Sequence, residues 1–78
     1  MQPIRFELDP SHDHVELNQL LKLVGLCDSG GAGKAMVASG VVRVDGQVEL
    51  RKTCKIRSGQ RVECFGTTIR VVPAAVAS

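Results

Sequence analysis

Apolar side chains recur along this chain at two different periods, and the places where the period changes mark the elements. Ile4, Phe6 and Leu8 alternate with Arg5 and Glu7, the period of two expected of a strand with one buried face. A strand is predicted over about 3–8, ended by Asp9-Pro10-Ser11, residues that favour turns. Val15, Leu17, Leu20, Leu21 and Val24 then fall three and four positions apart, while Glu16, Asn18, Gln19 and Lys22 are left to face water, the pattern of an amphipathic helix. Asp13 followed three positions later by Glu16 resembles a capping box and places the helix start at His14 or Val15. Gly25 closes it, and Leu26-Cys27 is a connection short enough to force close packing with the next helix. Ser29 is a good N-cap for that second helix, predicted from Gly30 to Ser39 with Ala32, Met36 and Val37 on its apolar side and Gly40 at the left-handed C′ position.

The period of two then returns. Val41 to Val44 reads as a strand, with Val42 and Val44 inward and Arg43 between them. Asp45-Gly46 is the dipeptide favoured where both central residues of a tight hairpin need positive φ, so a return strand from Gln47 to about Leu50 follows. It leads into the basic run Arg51-Lys52-Thr53-Cys54-Lys55-Ile56. Arg57-Ser58-Gly59-Gln60 is a turn, and 61–65 a strand with Val62 and Cys64 on one face. Gly66-Thr67 turns the chain into a last strand over 68–72, with Ile69 and Val71 inward and Arg70 outward, paired with its hairpin neighbour or the N-terminal strand. Pro73 stops it, leaving a frayed tail. The fold expected is α+β: two short helices packed on a small, mainly antiparallel sheet of four to five strands, as one domain over 1–78 with its core in 13–65 and its tail at 73–78.

Length and composition narrow the function. Seventy-eight residues make one small core with a net stability of about 3–5 kcal/mol, which leaves little room for an enclosed catalytic cavity. Hydrophobic residues at 44% and charged residues at 23% speak against general disorder, and no apolar run has the length of a membrane span or a signal peptide, so a cytoplasmic chain is expected. Cys27, Cys54 and Cys64 contain no CxxC pair, which argues against a disulfide framework and a zinc ribbon. Buried thiols are the simple reading; a redox role for Cys54, with Lys52 and Lys55 lowering its pKa, is the sharper one. His12 and His14 lack further ligands at suitable spacing, so no metal and no cofactor is expected. Gly33-Lys34 resembles the end of a phosphate-binding loop but has Ala35 where serine or threonine belongs and no preceding strand. Without a recognisable triad or carboxylate pair in a pocket, an enzyme reading is poor.

Charge supplies what catalytic motifs do not. Residues 1–40 carry three basic and five acidic side chains, residues 41–78 seven and three, so an anionic partner belongs on the C-terminal half. Arg51, Lys52, Lys55 and Arg57 lie within seven positions, and Arg43 on the facing strand is expected to join them on one side of the domain. Phosphate oxygens suit such a patch, with salt-dependent affinity through counterion release. Gly30, Gly31 and Gly33 leave the first turn of the second helix nearly bare. Its unpaired amides can then approach a phosphate, with Lys34 one turn in; equally, the glycines can let the helix press against its neighbours.

The ordered set Gly25-Leu26, Ser29, Lys34, Val37, Gly40, Val42, Val44, Asp45-Gly46, Ile56 and Gly59 resembles the S-four domain, the alpha-L RNA-binding module first seen in ribosomal small-subunit protein four. The likeness runs from about Leu17 to Val62, and the Arg51–Ile56 run is similar to the small stand-alone bacterial YbcJ-like family. The resemblance implies a non-enzymatic RNA-binding protein, with structured RNA, ribosomal or transfer, as partner, no membrane and no small-molecule substrate, acting as a monomer. Phe6 and Phe65 are the only aromatics, so no stacking platform exists for unpaired bases and recognition of RNA shape and backbone is favoured. The expected site comprises Lys34, Arg43, Arg51, Lys52 and Lys55, with Lys22 and Arg57 secondary and Ser29 and Gly30 at the helix mouth; of these, Lys34 and the capping Ser29 match the family's pattern. The chain departs from the family pattern in having Gly30 where arginine is usual and Glu16-Leu17-Asn18 where an Arg-Leu-Asp triplet is common, which shifts the expected site toward Arg51 to Arg57. The rival function is a protein-interaction module docking the same basic edge on an acidic partner.

Overall fold

The computed structural model describes residues 3–74. Its elements in chain order are β1 (Ile4–Glu7), β2 (Val15–Glu16), α1 (Leu17–Leu23), α2 (Gly30–Ala38), β3 (Val42–Val44), β4 (Gln47–Val48), β5 (Lys55–Ile56), β6 (Arg61–Cys64) and β7 (Thr67–Val72). Five strands form one sheet in the order β1-β7-β6-β3-β4. All its neighbours are antiparallel except β1 and β7, which run parallel with Ile4 beside Ile69 and Phe6 beside Val71. The two helices cover one face. This is the α+β arrangement expected, with the last strand pairing both with its hairpin neighbour and with the N-terminal strand.

The inward positions of the sheet follow the alternation in the sequence. Val42, Val62, Cys64, Ile69 and Val71 are buried beneath Leu17, Leu20 and Leu21 of α1 and Val37 of α2, with Ile56 closing the end. Each such aliphatic side chain contributes about 1.5–3 kcal/mol on removal from water. The hairpins are set by residues that tolerate left-handed backbone: Asp45 and Gly46 lie at φ 51° and 85°, as an Asp-Gly turn requires. The Asp45 carboxylate also accepts the Arg61 amide at 3.0 Å and Gln60 Nε2 at 3.2 Å, tying the β3–β4 turn to β6.

Several local expectations are corrected. No capping box forms at α1. Val15 and Glu16 are extended and pair with Ile56 and Lys55, so the helix begins at Leu17 and Glu16 makes no side-chain cap. Asp13 is engaged elsewhere, contacting His14 Nδ1 at 2.7 Å and Arg57 Nη1 at 3.0 Å. The first amides of α1 are satisfied instead by a distant loop: Leu17 N–H donates to the Cys54 carbonyl at 2.9 Å and Asn18 N–H to that of Lys52 at 3.1 Å. Asn18 is buried rather than exposed. On α2 the covered positions are Gly33, Met36 and Val37, whereas Ala32 is exposed. β4 ends at Val48 rather than Leu50; the Glu49 amide still donates to the Val42 carbonyl at 3.0 Å, while its carboxylate accepts from the amide and guanidinium of Arg51. The β6–β7 turn falls on Phe65-Gly66, at φ 50° and 77°, one residue earlier than predicted. Of the expected tail, 75–78 lie outside the described residues.

Candidate nucleic-acid interface

The loop between β4 and β5 is held open by α1. Leu17 and Asn18 donate to the carbonyls of Cys54 and Lys52, and with the backbone so held Arg51, Lys52, Thr53 and Lys55 are exposed while Cys54 packs against the core. Lys34, from the second turn of α2, meets Leu50, Arg51, Lys52, Thr53, Cys54 and Lys55 around a shallow groove of about 800 Å³. Among the described residues no ion pair engages Lys34, Lys52 or Lys55. Three cations from two separate segments therefore face one open concavity.

The remaining predicted residues divide. Arg51 lines the groove but is already committed: its Nε and Nη2 donate to Glu49 Oε2 and Oε1, each at 3.0 Å, and its own amide donates to Oε2 at 3.0 Å. These bonds from Arg51 hold the Glu49 carboxyl down to about 2 and push the guanidinium up. Arg57 is paired with Asp13 outside the groove. Arg43 projects from the face of the sheet opposite Val42 and Val44 and lines a different hollow with Glu63, Phe65 and Thr68. The alternation of a strand enforces this: with Val42 and Val44 inward, Arg43 cannot join the helix-side cations as expected. Lys22 is exposed in the last turn of α1 and does not line the groove.

Ser29 caps α2 as predicted, its Oγ accepting the Ala32 amide at 3.1 Å. The three glycines have different reasons. A methyl group at Gly33 would meet the Asn18 carbonyl oxygen at 2.5 Å, so this position serves close helix crossing. At Gly30 it would meet Gln19 Nε2 at 3.0 Å; at Gly31 it would find only Ser29 Oγ at 3.9 Å. Asn18 and Gln19, which the apolar pattern passed over as solvent-facing, thus lie beside the helix mouth. Asn18 Oδ1 is buried with no hydrogen-bond partner among the described residues. The signal for both was present only in the third dimension, since it depends on how closely α2 crosses α1.

The sharper reading of Cys54 finds no support. Burial, and then the neighbouring Glu49 carboxylate, push its thiol up despite the flanking lysines. It donates toward Glu49 Oε1 at 3.5 Å, so the residue belongs to the Glu49–Arg51 bracket rather than acting as an activated thiolate. Burial pushes Cys64 up as well, and all three cysteines are free. Among the described residues no three His, Cys, Asp or Glu side chains gather as metal ligands do, and no helix is long and apolar enough to cross a membrane.

A family model described as the S4 domain matches residues 7–72, which span both helices, the Asp-Gly hairpin and the basic loop. The chain belongs to the S4 domain family. YbcJ of Escherichia coli (strain K12) is 52% identical over 61 residues, covering 78% of this chain and 87% of its own length, and YbcJ of Shigella flexneri matches to the same extent. A solution structure of E. coli YbcJ, described as revealing an alfaL motif involved in RNA-binding, superposes with a TM-score of 0.63 at 46% identity, covering 90% of this chain and 85% of that one. The 30S ribosomal protein S4e of Thermoplasma acidophilum shares the fold, with a TM-score of 0.56 at 23% identity over 73% of this chain and 30% of its own.

Proposed function

We propose that this chain binds structured RNA without catalysing a reaction on it, and that it does so through the groove between α2 and the 50–55 loop. The observation that carries this is the meeting of Lys34, Lys52 and Lys55 in one open concavity, none of them held in an ion pair among the described residues. Such cations lower their mutual repulsion by taking up phosphates, releasing the counterions condensed on the nucleic acid. The description of the E. coli YbcJ structure as an alfaL motif involved in RNA-binding supports the choice of RNA. Arg51 acts by bracing the loop through Glu49 and offers its remaining N–H groups. Ser29 and Gly30 set the mouth of α2, whose first amides add donors at the groove's end. Arg57, Lys22 and Arg43 lie peripheral to this contact. An RNA helix, ribosomal or transfer, suits a shallow groove that reads backbone and shape rather than splayed bases.

Fluorescence anisotropy with a labelled RNA hairpin, repeated across a salt series, tests the assignment. Three lysine contacts give a log–log slope of about −2 to −3 at roughly 0.7–0.9 per phosphate. The double variant K52E/K55E, with its circular dichroism unchanged, is expected to lose most of its affinity for the hairpin. Unchanged affinity in that variant refutes the groove; absence of hairpin binding by the parent protein at low salt refutes RNA as the partner and turns the assignment toward an acidic protein.

A further inference from the structure

The face of the sheet turned away from the helices carries a row of cations of its own. Register places Arg5 of β1 beside Arg70 of β7, and Arg70 directly opposite Arg61 of β6. All three are exposed, while the residues flanking them in sequence, Ile4, Phe6, Ile69, Val71 and Val62, turn toward the core. With neighbouring strands about 4.8 Å apart, three guanidinium-bearing side chains cross three strands in a line. Two shallow hollows flank it and share Arg70: one of about 580 Å³ between Arg61, Gln60 and Thr68, the other of about 410 Å³ between Pro3, Arg5 and Val72.

Like charges directly opposite on adjacent strands destabilise a sheet, so a solvated surface ordinarily alternates them. Here the carboxylates of the same face lie outside the row. Glu63 sits between Thr68 and Arg43, and Glu7 stands beside Val72 at the next outward position of β1. Among the described residues no ion pair engages Arg5, Arg61 or Arg70. The chemistry of the row also differs from that of the groove. The cations on this face are all arginine, whose planar fork grips phosphate with two parallel bonds and gives up water readily, whereas the groove relies on lysine point charges. A row extended across three strands matches an extended polyanion better than a single small ion.

We propose that this open face is a second phosphodiester-binding surface, so that one chain engages two RNA segments at once, one in the groove and one across Arg5, Arg70 and Arg61. No residue lines both the groove and the two hollows, so both can be filled together. The proposal rests on the RNA reading above for its ligand, but not on the residues of the groove.

The test uses the full chain, K52E/K55E, and a face variant in which Arg5, Arg61 and Arg70 are all replaced by glutamine, with two RNA duplexes carrying donor and acceptor dyes. The parent protein, at sub-saturating ratio, is expected to bring the duplexes together and raise energy transfer. The face variant is expected to abolish that transfer while keeping groove binding to a single duplex within about threefold, and to melt no lower than the parent because the opposed charges are gone. Transfer undiminished in the face variant, or no transfer with a parent protein that binds single duplexes, overturns the second surface. K52E/K55E is expected to keep weak single-duplex binding through the arginine row and to lose transfer; complete loss of its single-duplex binding overturns the second surface while leaving the groove standing, so the two readings fail separately.

Discussion

Replacing Gly33 by alanine isolates the contact that sets the distance between the helices. The new methyl carbon would sit 2.5 Å from the Asn18 carbonyl oxygen and 3.2 Å from both Asn18 C and Cα. These are backbone atoms held in α1, so they cannot swing aside as a flexible side chain would. Alanine gains up to about 1 kcal/mol over glycine inside a helix. Forcing a methyl group into a filled contact costs about 1–3 kcal/mol, and tilting α2 outward also uncovers Val37 and Leu21, both fully buried. The net expectation is a loss of about 1–2 kcal/mol, a large share of the roughly 3–5 kcal/mol available to a domain this small. At about 4–8 °C per kcal/mol for a chain of this length, the melting temperature falls by at least several degrees. Gly31→Ala is the matched control, because its methyl group meets nothing nearer than 3.9 Å; it is expected to hold or raise stability while narrowing the approach of a phosphate to the helix mouth. Urea denaturation followed by circular dichroism compares the two. Equal stability of Gly33→Ala and Gly31→Ala would refute the close crossing.

The remaining predictions concern the Glu49 bracket. Glu49→Gln frees the Arg51 guanidinium, so RNA affinity should rise and the salt slope steepen by up to about one contact; weaker binding on hairpin titration would show that Arg51 must be held by Glu49 to act. Glu49 falls from its ordinary 4.5 to about 2 in the folded protein, and a carboxyl depressed by folding adds stability that is present above its unfolded value. That contribution is lost as pH falls from about 4.5 toward 2, with Asp9, Asp13 and Asp45 depressed in the same direction. Acid unfolding of Glu49→Gln should accordingly show a shallower dependence over that window, and an unchanged profile would contradict the bracket. Iodoacetamide should alkylate Cys54 more slowly at neutral pH than a free exposed thiol, since burial and Glu49 disfavour its thiolate; faster modification would restore the redox role.

Legibility in the sequence tracked how local the cause of each feature is. Ser29 and Gly40 around α2, the Asp45-Gly46 turn and the alternation of β1, β6 and β7 depend on one or two neighbouring residues, and all appear where the pattern puts them. The start of α1 does not, because the groups that satisfy its amides are carbonyls at Lys52 and Cys54, and a backbone carbonyl leaves no mark in the residue pattern. The same holds for the candidate site. Lys34, Lys52 and Lys55 are visible as charges, yet only the fold shows that they share a groove. Only the fold, too, shows Arg51 and Arg57 bound to Glu49 and Asp13 and Arg43 on the other face. Arg5, Arg61 and Arg70 are scattered over the whole chain and become neighbours through strand register alone.

Entry of RNA into the groove beside α2 can be followed by titrating an RNA hairpin into isotope-labelled protein and recording amide chemical shifts. The largest shifts are expected at Lys34, Lys52, Thr53 and Lys55 and at the first amides of α2, fading as salt is raised. Shifts that leave those amides unmoved while the hairpin binds elsewhere on the domain would contradict it.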